Sequence, residues 1–101
     1  MRISASEQVQ NWLSGLSPDV KRRVRAALRS LERSDKGRDI KALRSELDGF
    51  YRLRVGGYRI VYHIEAGQMI RLDCADLREE VYEAFMRLRA LRESGQDAEK
   101  P

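Results

Sequence analysis

Histidine and cysteine each occur once in the 101 residues, as His63 and Cys74. One histidine rules out a histidine pair acting as acid and base, and the two residues together fall short of the about four ligands of a zinc site built from His and Cys. A lone cysteine has no intrachain disulfide partner and reads as a small core residue. The remaining chemistry is cationic. The segment Phe50 to Glu65, FYRLRVGGYRIVYHIE, alternates with a period of two around Gly56-Gly57, the pattern of a β-hairpin with a two-residue turn. In that register Arg54 faces Arg59 and Arg52 faces Val61. A third strand near Met69 to Ala75, with Ile70, Leu72 and Cys74 as its apolar set, brings Arg71 opposite His63 and Asp73 opposite Val61. This holds if the loop around Gly67 is odd in length or carries a bulge. The face turned away from the helices then holds Arg52, Arg54, Arg59, Arg71, His63 and Asp73. Like charges directly across a sheet are destabilising, so the Arg54–Arg59 pair calls for an offsetting group, either Asp73 or an external anion. Guanidinium groups hold phosphate through two-pronged, charge-assisted hydrogen bonds. The plain alternative for any single arginine is a solvated sheet face, and the sheet pattern alone explains the position of His63.

The elements that must position these residues follow from periodicity and caps. Arg2 to Ser4 reads as a short edge strand. Ser4 and Glu7 fit a capping box ahead of a helix with Val9, Trp12, Leu13 and Leu16 on one side. Ser17-Pro18 starts a second helix with Val20, Val24, Ala27, Leu28 and Leu31 at helical spacing, its arginines forming a solvated side. Ile40, Leu43 and Leu47 lie in a connector without a clear period, ended by the turn signal Asp48-Gly49. Asp76 and Glu79 fit a second capping box, and a terminal helix would bury Leu77, Val81, Phe85, Leu88 and Leu91. Tyr82 sits about 100° round that helix from Val81, with Arg78 one turn earlier on the same side. The reading is one α+β domain over residues 1–93, with a helical hairpin on a four-stranded, antiparallel-rich sheet, and a polar tail without fixed structure over 94–101.

Lys plus Arg is 20 against 16 acids, a net charge of +4, which favours an anionic partner. No apolar run approaches the ~20 residues of a membrane span, and the N-terminus lacks the apolar core of a signal peptide. The expectation is a reducing, cytoplasmic setting, with no metal, no cofactor and no membrane.

The string LDGFYRLRVGGYRIVYHI, followed by a polar hairpin, an apolar strand and LREEVYEAF, resembles the RelE/ParE superfamily of bacterial type II toxins. The resemblance spans residues 1 to 92, and the G-x-Y-R-L-R-V-G-x-Y-R-I-V-Y pattern carries most of it. It implies a RelE-like fold and an antitoxin partner. It also implies one of two activities: ribosome-dependent mRNA cleavage, or inhibition of DNA gyrase without nuclease activity. A non-toxic, antitoxin-binding homologue is a third outcome. For a ribosome-dependent endoribonuclease the matching residues are Arg59, Arg78 and Tyr82 as catalytic groups, with Arg52 and Arg54 as the basic pair binding RNA phosphate; Arg71 and His63, from the same sheet face, would join them in binding phosphate. The 2′-hydroxyl would attack the adjacent phosphate, Tyr82 would accept its proton and the arginines would stabilise the transition state. The sequence departs from the pattern at Cys74-Ala75-Asp76-Leu77, where many relatives carry a Gly-His or Gly-Lys element and this chain places an acid.

Overall fold

The computed structural model describes residues 2–34, 37 and 39–99, with side chains to residue 91. The order is β1 (Arg2–Ala5), α1 (Glu7–Ser14), α2 (Pro18–Arg33), β2 (Ile40–Ala42), a 3-10 turn (Ser45–Leu47), β3 (Tyr51–Val55), β4 (Tyr58–Glu65), β5 (Met69–Leu77) and α3 (Glu80–Glu99). One five-stranded sheet has the order β1-β5-β4-β3-β2. β1 runs parallel to β5, and the other neighbours are antiparallel. The α+β class agrees with the sequence reading, but the sheet has five strands instead of four. The added strand is β2, in the connector without a period. Its three residues are too few to show alternation, and only Ile40 is partly buried. The Asp39 carbonyl accepts the Arg54 N–H at 2.8 Å, extending the β2–β3 contact by one bond.

The hairpin register is as expected, including Arg54 opposite Arg59 and Arg52 opposite Val61. Only Gly56 of the turn has positive φ, 57°, as in hairpin turns that need glycine only at the first central position. The Glu65↔Met69 pair closes a three-residue loop, the odd length expected. A bulge also appears further along. Tyr62 pairs with Leu72 but Val61 pairs with Cys74, so Asp73 is the extra residue of a bulge in β5. Asp73 therefore does not lie opposite Val61. One inserted residue reverses side-chain alternation, so Ile70, Leu72 and Ala75 join one core while Cys74 crosses to the other face with Val61.

The sheet is thus covered on both faces. α1 and α2 pack Val9, Val24 and Leu31 against Leu53, Ile60, Tyr62 and Leu72. On the other side α3 places Val81 and Phe85 over Val61 and Cys74, beside Leu47 and Phe50. Each fully buried side chain of this size contributes about 1.5–3 kcal/mol. The face expected to be open is therefore half covered by α3. Its Val81 and Phe85 are buried as expected, but Leu77 is 46% exposed in β5 and Leu91 is 62% exposed.

Both expected capping boxes are displaced. The α1 cap is Ser6, since Ser4 is committed to β1 opposite Arg71. Ser6 Oγ accepts from Val9 N–H at 3.3 Å and donates to the bulge carbonyl of Asp73 at 2.8 Å. Gln8 then pairs with both backbone groups of Ala75, donating to its carbonyl at 2.8 Å and accepting from its N–H at 2.9 Å. The edge of β5 beyond the end of β1 is thereby satisfied by α1 side chains. Asp76 is not a helix cap either: it is a strand residue opposite Arg59. β5 continues to Leu77, the Arg78 N–H donates to the Gly57 carbonyl at 2.9 Å, and Arg78 turns the chain at φ 44° before α3 begins. Where the sequence reads as a tail from Ser94, the backbone continues as helix to Glu99. Residues 100 and 101 lie outside the described residues.

Candidate functional site: a cationic groove between β2 and α3

α3 covers the β4–β5 half of its sheet face and stops short of β2, so a groove of about 710 Å³ remains between them. Arg52 of β3 and Arg59 of β4 lie on its floor. Lys41 and Arg44 line the wall beside β2, and Glu79 and Tyr82 line the wall beside α3. The α3 wall is pinned by Arg89. Its guanidinium lies over the rings of Phe50 and Phe85 at 5.4 and 5.7 Å and donates to the Glu46 carbonyl at 3.2 Å. Phe50 and Phe85 meet edge to face at 5.0 Å.

Of the residues expected to act, the groove gathers Arg52, Arg59 and Tyr82. Arg52 sits directly opposite Lys41, an arrangement that costs stability when both are charged. Its Nε is buried with no hydrogen-bond partner among the described residues. The Arg59 Nη1 donates to the carbonyls of Gly56 and Tyr58 at 3.0 and 2.9 Å. That holds the guanidinium at the groove and leaves its other nitrogens available.

The other four lie outside the groove lining. Arg54 is held by Asp39, with Nε and Nη2 both reaching Oδ1 at 3.2 and 3.0 Å. The offset to the Arg54–Arg59 pair is therefore internal: Asp39 for one arginine, hairpin carbonyls for the other. Arg71 donates to the Ser4 hydroxyl near the β1 edge. Arg78 precedes α3 and so does not share a helix side with Tyr82. His63 is clamped by two carboxylates, Nδ1 to Asp73 at 2.7 Å and Nε2 to Glu65 at 3.1 Å. Burial acts most strongly on its pKa and lowers it, but the hydrogen bonds and charges of Asp73 and Glu65 together outweigh burial and raise it. Cys74 is buried, and burial, aided by the Asp76 charge, pushes its thiol up to about 11. It is a packing residue, since thiolate is the nucleophilic form.

Sequence reasoning missed Lys41, Arg44 and Glu79. The first two lie in the connector that showed no period, and only the pairing of β2 with β3 brings them to the hairpin face. Glu79 was assigned to a helix cap that does not form. Among the described residues no group of three His, Cys, Asp or Glu side chains is placed to hold a metal ion.

The two-faced sheet with its helical hairpin and crossing terminal helix is the RelE-like toxin fold. The chain is similar to the toxin–antitoxin complex RelBE2 from Mycobacterium tuberculosis at 28% identity and a TM-score of 0.66, over 76% of this chain and 96% of that one. It is similar to the RelE–RelB complex from Pyrococcus horikoshii at 26% identity and 0.67, over 77% and 94%. The free toxin RelE from E. coli shares the fold at 20% identity and 0.64, over 85% and 94%. No curated protein gives a significant sequence match. Residues 7–73 match the profile described as the ParE toxin of type II toxin-antitoxin system, parDE. The chain belongs to this family of toxins.

Proposed function

We propose that the chain is a toxin that cuts mRNA on the ribosome and is held in check by a cognate antitoxin, both acting in the cytoplasm. The supporting observation is the convergence of Lys41, Arg44, Arg52 and Arg59 in one groove with Tyr82 on its wall. Such a site suits a backbone phosphate with an adjacent ribose. Attack of the 2′-hydroxyl on its neighbouring phosphorus forms a 2′,3′-cyclic phosphate and releases the 5′-oxygen. Charge gathers on the phosphoryl oxygens in the transition state, and preorganised guanidinium groups stabilise it most strongly there. Arg52 is poised for this role, because an incoming anion would pair a guanidinium that now lies opposite Lys41. Arg59 would act beside it from the next strand, and Tyr82, on the groove wall, would hydrogen-bond the ribose. Several of the similar structures are complexes with antitoxins, which supports an antitoxin partner here.

Induced expression tests the reading. Wild type should arrest growth and give cuts in the A-site codon by toeprinting. Arg59→Ala should lose about 10²–10³ in cleavage rate, and Tyr82→Phe should be slowed. Intact transcripts with translation unaffected would sink it. The ParE profile match favours a second reading, inhibition of DNA gyrase without nuclease activity. That reading expects filamenting cells and loss of supercoiling when pure protein meets gyrase.

A further inference from the structure

Two groups lining the groove, Glu79 and Lys41, have no proton-transfer role in the reading above. They stand on opposite walls. Glu79 lies at the turn into α3, its carbonyl accepting from Tyr82 N–H at 3.1 Å, while Lys41 is the β2 residue opposite Arg52. Arg52 and Arg59, from the adjacent strands β3 and β4, lie on the floor between them. In phosphoryl displacement the attacking and leaving oxygens are roughly in line through phosphorus. A phosphate seated on the floor arginines can therefore present one of these oxygens to each wall.

We infer that Glu79 takes the proton of the attacking 2′-hydroxyl and that Lys41 gives one to the departing 5′-oxygen. This rests on the nuclease reading and assigns its acid and base. The 2′-O–H bond breaks toward the Glu79 carboxylate as the 2′-O–P bond forms. The P–O5′ bond breaks with its electron pair on the 5′-oxygen, which receives a proton from the Lys41 ammonium. One proton is accepted and one donated, so the step balances. Elimination among the other groups supports the assignment. Arginine does not give up its proton in proteins. His63 is engaged by Asp73 and Glu65 away from the groove, and Cys74 is buried under α3. A phenol must first ionise to accept a proton, whereas a carboxylate need not.

The test uses ribosomes carrying a defined mRNA, with single-turnover cleavage by wild type, Glu79→Gln and Lys41→Arg. A second mRNA carries a bridging sulfur in place of the 5′-oxygen at the A-site codon, because a thiolate leaves without being protonated. Glu79→Gln should slow cleavage by about 10²–10⁴ on both RNAs, with RNA binding unchanged. Lys41→Arg keeps the charge and should be slowed similarly on ordinary RNA, yet should cut the sulfur-bridged RNA close to the wild-type rate. Glu79→Gln at wild-type rate, or Lys41→Arg equally slow on both RNAs, overturns the assignment alone. Wild type that cuts neither RNA overturns the nuclease reading itself.

Discussion

At the scale of single residues, the charged side chains of one sheet face divide by what they already hold. Arg54 spends its guanidinium on Asp39, and His63 spends both ring nitrogens on Asp73 and Glu65. Arg52 has a buried Nε with no partner among the described residues, and it faces Lys41. Partnered charges of the first kind serve the fold; a cation set against another cation suits an anionic ligand. The sign of the His63 contribution follows from its raised pKa. The protonated ring is favoured in the folded state, so its stabilisation is fully present below the unfolded value of 6.5 and is lost as pH rises through the raised folded value. Urea midpoints measured across that window should fall with rising pH in wild type, and His63→Gln should flatten this dependence.

At the scale of elements, the bulge at Asp73 decides how β5 serves two cores. Upstream of it Ile70 and Leu72 face α1 and α2; downstream Cys74 faces α3 while Ala75 returns to the first core. The bulge carbonyl is tied to Ser6, which also caps α1, so one hydroxyl couples the helix start to the strand irregularity. Ser6→Ala should cost about 1–2 kcal/mol in chemical denaturation, through loss of the cap and of the hydroxyl's bond to the bulge carbonyl. Deleting Asp73 should be tolerated by the sheet itself. Leu72 and Cys74 then become neighbours that still pair with Tyr62 and Val61 and still face opposite cores, so unfolding should stay cooperative, with only the bonds of Asp73 to Ser6 and His63 lost.

At the scale of the whole molecule, the groove exists because α3 crosses only part of the sheet. Phe85 is 5% exposed and anchors that crossing against Phe50 and Arg89. Phe85→Ala should cost about 3–5 kcal/mol, a large share of the 5–15 kcal/mol typical of a small domain. It should also weaken RNA binding by loosening one wall, which a parallel binding titration would show. The groove gathers four cations, Lys41, Arg44, Arg52 and Arg59. Single-stranded RNA bound across all of them should show a log–log salt slope of about −3, reduced by about 0.7 in Arg44→Gln.

The sequence alone determined whatever is encoded locally. Period-two alternation with Gly56-Gly57 is enough to set the hairpin, its register and the Arg54–Arg59 opposition, because a one-residue slip would expose the whole apolar face. Helical spacing likewise identified Val24 and Leu31 in α2, and Val81 and Phe85 in α3, as core residues. The tertiary structure decided what depends on pairing between distant segments. β2 is too short to announce itself, and it becomes a strand only because β3 offers an unpaired edge; with it come Lys41 and Arg44. The bulge that moves Cys74 across the sheet leaves no local signature, since Asp73 is an ordinary polar residue until Ser6, 67 positions away, takes its carbonyl. The caps at Ser4 and Asp76 failed for the same reason: strand pairing claimed those residues first. The arginine-rich face was therefore legible in the chain. Which of its cations share a groove, and which carry an internal partner, was settled by where α3 lies and what β2 brings.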